Sequence, residues 1–387
     1  MMMRRFRPLP VAALVFLTAC ATAGPGGGPA DDPHMAIARR VLSTTPLVDG
    51  HNDLPWAIRQ HEAAPHDVAA YDLRTRTPGH TDIPRLREGM VGAQFWSVYI
   101  PPRAVEEGAA KVQLEQIDIA HQVIRRYPDV FELALTADDA ERIFRQGRIA
   151  SMLGMEGGHA IENSLGSLRA FYDLGVRYMT LTHSANLDWA DSCCALREHG
   201  GLTEFGREVV REMNRMGMMV DISHVSAESM HHALDVTEAP VIFSHSNARA
   251  IMEHPRNVPD DVLRRMPENG GVVMVTFVPG FLTAAAEATM EDVIRHIEYI
   301  RDVAGVDHVG IGGDYDGITQ VVVGMEDVST YPVLFAALSR RGWSETDLRK
   351  LAGENALRVW RDAERVAERL QRERNPSTAT IEALDGR

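Results

Sequence analysis

The chain contains few cysteines for its length. Three occur in 387 residues, at Cys20, Cys193 and Cys194. Adjacent cysteines rarely bridge each other without strain, so the sequence implies no disulfide framework even if the protein is exported. We predict that Cys193 and Cys194 lie in a loop, and we regard a metal site at this pair as the less favoured interpretation.

Positive charge is also scarce. The 40 Lys and Arg residues are outnumbered by 54 Asp and Glu residues, which gives a formal net charge of −14, and lysine occurs only at Lys111 and Lys350. An acidic surface repels phosphate backbones, so we expect no nucleic-acid partner. Apolar residues make up 45% and charged residues 24% of the chain. This usage is ordinary for globular proteins and allows a sizeable core.

The apolar run near the N-terminus is too short to span a membrane. Arg4, Arg5 and Arg7 precede it and small residues follow it, which is the pattern of an export signal. The junction Leu17-Thr18-Ala19-Cys20 resembles the cleavage site of a bacterial lipoprotein signal, in which the cysteine is acylated and becomes the new N-terminus. The alternative is a plain signal peptide in which this cysteine occurs by chance.

These patterns predict how the chain is divided. We expect a signal peptide over residues 1–19, a lipid anchor at Cys20 and a flexible tether over residues 20–36, where Gly, Pro and Asp are frequent. A single catalytic domain with C-terminal helices is predicted over residues 37–375, followed by a tail over residues 376–387. The anchor would hold the protein to a membrane of the bacterial cell envelope, facing outside the cytoplasm.

From Leu47 onward, short apolar and β-branched runs alternate with amphipathic stretches of helical spacing, which is typical of βα units and a parallel sheet. Eight such runs occur, over residues 47–53, 91–100, 149–157, 178–184, 218–225, 241–247, 270–278 and 308–317. They span roughly 270 residues, near the size of a closed barrel. The sequence therefore predicts an α/β fold, a (β/α)8 TIM-type barrel. A doubly wound open sheet is the alternative, because a strand count does not demonstrate closure.

Polar residues occur at the ends of six of these runs, although buried strands should be apolar. They are His51 and Asp53 on the first run, Glu156 on the third, His183 on the fourth, His224 on the fifth, His245 on the sixth and Asp314 on the eighth. In a barrel the C-terminal ends of all strands meet at one face, where active sites are built. We therefore expect these residues to converge.

Five of these residues have the chemistry of metal ligands. His51 and Asp53 are two residues apart, so they point to the same side of a strand. Such a pair alone is more commonly a polar turn, but Glu156, His224 and His245 at other strand ends favour a metal site. Three imidazoles and two carboxylates suit zinc and exceed what one tetrahedral ion needs. The sequence predicts a barrel of the metal-dependent hydrolase kind, with two ions that share one carboxylate.

Glu156 is the candidate for the shared ligand. A carbamylated lysine bridges the ions in some two-metal barrel hydrolases, but neither lysine of this chain is at a predicted strand end. The surrounding residues, GMEGG, are small and leave room for metal ions and solvent.

Six segments resemble the renal (membrane) dipeptidase family, in matching order from about Val41 to Trp360. They are LVDGHNDLPWAIR, GMEGGHAIEN, LTHSANLDWADS, DISHVS, FSHSNARAIMEHPRNVPDD and GGDYDG. The resemblance implies two Zn²⁺ ions per chain. It implies that His51 and Asp53 bind one ion, that His224 and His245 bind the other, and that Glu156 bridges both.

The resemblance also implies roles in substrate binding and catalysis. His183 would contact the substrate carbonyl and stabilise the oxyanion. Arg256 would bind the free C-terminal carboxylate as a two-pronged donor. Asp314 would contact the metal-bound solvent, accept its proton and return it to the leaving amine. Histidines away from the strand ends are expected to be loop or helix residues, and Asp316 is expected to be structural.

The function that follows is a binuclear zinc metallopeptidase that hydrolyses dipeptides with a free C-terminal carboxylate, by means of a metal-bridging hydroxide. One alternative is a related two-metal amidohydrolase acting on N-acyl amino acids or lactams. Another is a binding or structural lipoprotein with an inactive barrel, which the complete ligand set disfavours. Animal members are glycolipid-anchored and disulfide-linked, whereas this sequence predicts a lipoprotein, so any homodimer is expected to be noncovalent.

Overall fold

A computed structural model describes residues 32–387. The predicted signal peptide, the anchor at Cys20 and most of the tether lie outside the described residues. The first helix begins at Pro33, with the Asp32 side chain accepting a hydrogen bond from the amide of His34. Residues 33–36 therefore belong to the folded unit and not to the tether, because this cap and Pro33 initiate a helix there. No helix within residues 32–387 is long and apolar enough to cross a membrane.

The described chain alternates strands and helices. The strands are β1 (Leu47–Asn52), β2 (Val91–Ser97), β3 (Phe131–Leu133), β4 (Ile149–Glu156), β5 (Val176–Thr180), β6 (Met219–Asp221), β7 (Ile242–Phe243), β8 (Val272–Val275) and β9 (Val309–Ile311). The helices are α1 (Pro33–Thr44), α2 (Leu54–Arg59), α3 (Ile83–Glu88), α4 (Ala109–Arg126), α5 (Ala137–Arg145), α6 (Leu165–Asp173), α7 (Glu204–Met216), α8 (Ala227–Val236), α9 (Asp260–Leu263), α10 (Met266–Asn269), α11 (Pro279–Leu282), α12 (Met290–Ala304), α13 (Tyr331–Arg340), α14 (Glu345–Arg349), α15 (Asn355–Glu373) and α16 (Ile381–Asp385).

Eight of the strands form a closed parallel barrel. The neighbours run in the order β2, β1, β9, β8, β7, β6, β5 and β4, and β4 pairs in turn with β2. This closing ladder joins residues 93–97 to residues 150–154 in continuous register. The predicted (β/α)8 barrel is confirmed, and the open-sheet alternative is wrong because the β2–β4 ladder closes the ring.

Strand β3 is not among the runs that the sequence predicts. It pairs with residues 149–151 of β4, along the same edge on which β5 pairs with residues 153–156. Its three residues include the half-buried Glu132 and Leu133, so it is not buried throughout as the barrel strands are.

The C-terminal segment is folded against the barrel. Residues 376–387, predicted as a tail, contain α16, in which Ile381 is buried. Asp385 accepts a hydrogen bond of 2.6 Å from the Thr203 hydroxyl at the start of α7. Arg387 donates to the carbonyl of Asp188, in the loop that follows β5. This segment therefore supports that loop.

Glycines allow the strands to approach closely beneath the C-terminal face of the barrel. A Cβ on Gly312 would lie 1.9 Å from the carbonyl oxygen of Ser244, and one on Gly50 would lie 2.7 Å from the same oxygen. Real Cβ contacts are never this short. The chain around β1, β7 and β9 therefore packs backbone against backbone at this level.

Gly312→Ala tests this packing. We expect it to lower the free energy of unfolding by about 1–3 kcal/mol, because a backbone carbonyl cannot move aside as a flexible side chain does. Gly280→Ala is the matched control, since a Cβ there meets nothing within 4 Å, and it should change stability by less than about 0.5 kcal/mol. Urea denaturation followed by circular dichroism measures both, and equal stabilities would contradict the packing argument.

Candidate metal centre

The polar residues predicted at the strand ends converge at the C-terminal face of the barrel. His51 lies in β1, Glu156 is the last residue of β4, and the others lie in the loops after β1 (Asp53), β5 (His183), β6 (His224), β7 (His245) and β9 (Asp314). Their potential ligand atoms form three overlapping groups, each within 4.8 Å: His51, Glu156 and His245; Glu156, His183 and His224; and His51, Asp53 and Asp314. Glu156 and His51 each belong to two groups.

The two carboxylate oxygens of Glu156 face different sides of the cluster. Oε1 lies 3.0 Å from Nε2 of His224 and 3.3 Å from Nε2 of His245. Oε2 lies 3.5 Å from Nε2 of His51. A carboxylate placed in this way can offer one oxygen to each of two neighbouring cations.

The Oε2 side of the cluster contains His51, Asp53 and Asp314. Nε2 of His51 lies 3.3 Å from Oδ2 of Asp53 and 4.0 Å from Oδ1 of Asp314. Within residues 32–387, Nε2 of His51 and Oδ1 of Asp53 are buried without a hydrogen-bond partner. Buried polar atoms without partners are costly, so their convergence here fits a site for a cation.

Tyr178 fixes the tautomer of His51. Its hydroxyl lies 3.1 Å from the carbonyl oxygen of Gly50, which can only accept, and 3.0 Å from Nδ1 of His51. Because the phenol has a single proton to give to Gly50, it accepts the second bond from Nδ1–H. Nε2 of His51 is then left with its lone pair directed at Glu156 and Asp53, as metal ligation requires.

A similar chain of hydrogen bonds acts on His245. The Ser244 hydroxyl donates to Oδ2 of Asp221 at 2.5 Å and lies 2.8 Å from Nδ1 of His245. Having donated its proton to the carboxylate, Ser244 accepts from Nδ1–H, which leaves Nε2 free toward Glu156. Asp221 is fully buried and accepts further bonds from the Thr180 hydroxyl and from the amides of residues 223 and 244.

The sequence patterns did not reveal these supporting residues. Asp49 is another: its carboxylate accepts bonds from the Tyr331 hydroxyl at 2.5 Å and from the amides of His51 and Gly313. The available signal was an acidic residue inside an otherwise apolar run, since Asp49 lies within LVDGH and Asp221 within MMVDISHV. Their partners come from other strands, which the sequence does not pair.

Two of the site residues have left-handed backbone conformations, with φ of +66° at His224 and +65° at Asp314. This region is uncommon for residues other than glycine, and His and Asp are among the types that tolerate it best. The amide of Asp314 donates to the carbonyl of His51 at 3.0 Å, which ties the two loops together. Asp316 accepts from the amide of His80 and thus anchors a neighbouring loop, as expected of a structural residue.

The electrostatics of Glu156, His224 and His245 favour the forms that bind metals. At His51 the effect of burial is outweighed by Tyr178 and the carboxylates of Glu156 and Asp53, which raise its pKa well above the ordinary value. Burial alone would raise the pKa of Glu156, but the imidazoles of His51, His224 and His245 bring it well below its ordinary value. Burial, assisted by the positive charge of Arg256, holds the pKa of His224 and of His245 well below the usual range. An ionised carboxylate and neutral imidazoles are the protonation states required of metal ligands. The donor set therefore fits a pair of divalent ions.

A cavity of about 510 Å³ opens over the cluster, and His183, Arg256 and Asp314 are in its wall. Arg256 is 3% exposed and donates to the Ser246 hydroxyl at 3.3 Å and to the carbonyl of His245 at 3.0 Å. These bonds hold the guanidinium in place beside the imidazoles. The cluster and the cavity together form a site in which a small molecule can contact both metal ligands and a fixed positive charge.

The histidines away from the strand ends have other contacts. His159 bonds to the carbonyl of Ile100, and burial together with His183 lowers its pKa to about 4. Four further histidines of this kind bond to main-chain atoms or surface groups: His199 to the Leu187 carbonyl, His231 to Asp261, His232 to the Leu202 amide and His254 to the Arg256 amide.

Solved structures similar to this chain include peptidases. A metallo peptidase from Rhodobacter sphaeroides, liganded with a phosphinate mimic of the dipeptide L-Ala-D-Ala, is 30% identical; the match has a TM-score of 0.76 and covers 83% of this chain and 99% of that one. An amidohydrolase from Pseudomonas aeruginosa is 26% identical, with a TM-score of 0.72 and coverage of 84% and 98%. The probable dipeptidase PvdM from Pseudomonas aeruginosa, at 21% identity, a TM-score of 0.80 and coverage of 87% and 99%, shows the shared fold alone.

The model of one protein family matches residues 35–374, which is nearly all of the described chain. It is the model of the membrane dipeptidases, peptidase family M19. The resemblance seen in the sequence motifs is thereby confirmed. The chain belongs to the membrane dipeptidase family and is a metal-dependent dipeptidase.

Proposed function

We propose that the enzyme binds two zinc ions, one held by His51 and Asp53 and the other by His224 and His245, with Glu156 as the shared ligand. The observation that supports this most strongly is the division of the Glu156 oxygens between His51 on one side and His224 and His245 on the other. Imidazole and carboxylate are suitable ligands for zinc. Since both His51 and His245 have Nδ1 engaged by the protein, each presents Nε2 to the site.

Two such ions, when bound, polarise a peptide carbonyl and supply a nucleophile at neutral pH. The chain contributes the remaining groups. His183 lies in the cavity wall with Nε2 3.9 Å from Oε1 of Glu156, where it can donate to the oxygen of the scissile carbonyl as negative charge develops. Asp314, on the opposite side, is placed to accept a proton from the nucleophile and to return it to the leaving amine.

Arg256 selects substrates with a free carboxylate in this proposal. Its guanidinium is nearly buried, and its hydrogen bonds go to a hydroxyl and a carbonyl, so no carboxylate within residues 32–387 neutralises it. A buried charge without a counterion attracts an anionic ligand. A substrate whose C-terminal carboxylate reaches Arg256 while its last peptide bond lies over the metal ligands has one residue after that bond, as a dipeptide has. The Rhodobacter sphaeroides relative is liganded with a dipeptide mimic.

The predicted anchor gives the site of action. We propose that Cys20 carries a lipid that holds the enzyme to a membrane of the cell envelope, with the barrel outside the cytoplasm. Residues 33–44 form the first helix of the folded unit, so about a dozen residues separate Cys20 from the barrel. The noncovalent homodimer also stays a prediction.

The metal proposal predicts about two divalent ions per purified chain and loss of activity when a chelator removes them. Glu156→Gln should lower metal content and reduce kcat by at least about a hundredfold, because the shared ligand loses its charge. Glu287→Gln, an exposed substitution, is the matched control. Elemental analysis and dipeptide hydrolysis measure both effects, and a fully loaded, fully active Glu156→Gln variant contradicts the shared-ligand role.

The Arg256 proposal predicts that Arg256→Ala and amidation of the dipeptide C-terminus each lower kcat/KM. The decrease should correspond to a loss of about 2–5 kcal/mol of transition-state stabilisation. Their combination should cost much less than the sum, because both remove one interaction. Arg256→Lys should be intermediate, since it keeps the charge and loses the two-pronged geometry. Metal content should stay unchanged. If the parent cleaves dipeptide amides or N-acyl amino acids equally well, the result favours the broader amidohydrolase function.

The anchor proposal predicts that the mature protein begins at Cys20 and partitions with membranes, because the several acyl chains of a bacterial lipoprotein bind firmly. Cys20→Ala should release a soluble enzyme with unchanged kcat/KM. Fractionation and N-terminal mass analysis test this, and continued membrane retention of the variant would rule out the lipid.

A further inference from the structure

The adjacent cysteines lie in the loop that joins β5 to α7. Their Sγ atoms are 2.9 Å apart. Cys194 is exposed and Cys193 is half-buried, so small molecules in solvent can reach the pair. Neither residue has a role in the hydrolysis proposed above.

The loop holds this pair in a defined place. The Asp191 carboxylate accepts hydrogen bonds from the amides of residues 198–201, which closes the loop at its base. Asn186 accepts from the amide of Ser192 and donates to the carbonyl of Leu196, on either side of the cysteines. Hydrogen bonds hold the chain on both sides of the cysteines, so the two thiols stay near each other. A reaction between the two thiols is therefore favoured over their reaction with two separate molecules.

The same segment is bonded to the catalytic face. The amide of Cys193 donates to the carbonyl of His224 at 2.8 Å. The hydroxyl of Ser192 donates to the carbonyl of His183 at 2.6 Å. The hydrogen bond with Cys193, assisted by the charge of Arg256, lowers the pKa of Cys194 to about 7. The cysteine segment is therefore bonded to the loops that carry His183 and His224, and the positive charge of Arg256 acts on the Cys194 thiol.

We propose that Cys193 and Cys194 form a reversible redox site, which a small organic disulfide oxidises to a vicinal disulfide, and that its state tunes the attraction of Arg256 for the substrate carboxylate. The Cys194 thiolate attacks one sulfur of the organic disulfide and releases one thiolate. Cys193 then loses its proton to solvent, and its sulfur displaces the second thiolate from the mixed disulfide. Two electrons pass to the organic disulfide, which leaves as two thiols.

The expected effect follows from charge. In the reduced form, the Cys194 thiolate is an anion that competes with the substrate for Arg256; in the oxidised form, the pair is neutral. Oxidation should therefore lower KM for a dipeptide by about two- to fivefold, in keeping with a partly exposed charge pair, and leave kcat nearly unchanged. This part rests on the proposed role of Arg256. A bridge between adjacent cysteines is strained and exposed, so a dithiol should reduce it readily.

The test uses the Cys20→Ala chain, in which this pair provides the only thiols. After treatment with oxidised glutathione, we expect loss of both titratable thiols, a mass lower by two hydrogens and no glutathione adduct, all reversed by dithiothreitol. Glutathione adducts on both cysteines, or two thiols that persist after the treatment, would contradict the proposed redox site. These readings need no enzyme activity, so they are independent of the proposed dipeptidase mechanism.

Two variants test the link to substrate binding. Cys194→Ser removes the anion and should show the lower KM whether or not it is oxidised. Cys193→Ser cannot close the ring, so its mass should show a glutathione adduct on Cys194 instead of the loss of two hydrogens. A disulfide that forms in the parent without any change in KM overturns the coupling to Arg256.

Discussion

Closure of the barrel by the ladder between β2 and β4 is the constraint on which the site depends. The candidate ligands are separated by up to about two hundred residues in the chain, and no local interaction brings them together. Once the ring is closed, β1 and β9 present His51, Asp53 and Asp314 on one side. Strands β5, β6 and β7 present the remaining imidazoles on the other. Glu156, at the end of β4, is placed between these two sides because β4 lies next to both β2 and β5.

A buried cluster of carboxylates and imidazoles costs free energy unless a second layer of residues holds its members in place by hydrogen bonds. That layer consists of buried polar groups whose own hydrogen bonds are complete. Asp221 receives four donors and aligns Ser244, and through it His245. Asp49 ties the β1 strand to the loop after β9, which carries Asp314. The ligand geometry is thus set by backbone and hydroxyl groups before any ion binds, which reduces the cost of ordering the site on binding.

The sequence predicted the barrel because buried parallel strands are apolar runs, and eight of them stand out between amphipathic helices. It predicted the strand-end residues because ionisable groups are conspicuous at the ends of such runs. The strands themselves are shorter than the runs: β7 spans only Ile242–Phe243 within the predicted 241–247. The rest of that run leaves the sheet to carry His245.

What the sequence did not predict depends on tertiary contacts. Strand β3 exists because an edge of β4 is free before β5 begins. Helix α16 is held by a hydrogen bond to Thr203, far away in the chain. Tyr178 and Ser244 each contact one group that can only accept a hydrogen bond. This contact determines which ring nitrogen of His51 or His245 carries the proton. None of these relations leaves a periodic signal in the sequence.

The left-handed backbone at His224 and Asp314 affects how the site can evolve. A side chain in this conformation costs of order 1–3 kcal/mol unless its type tolerates it, so few substitutions are neutral for folding at these two positions. Asparagine at position 314 is among the few neutral substitutions, since it tolerates the same left-handed backbone conformation and is nearly the same size as aspartate. It lacks the charge that the proposed proton transfer needs. Selection for a stable barrel alone would therefore accept asparagine at this position, and only selection for hydrolysis retains the aspartate.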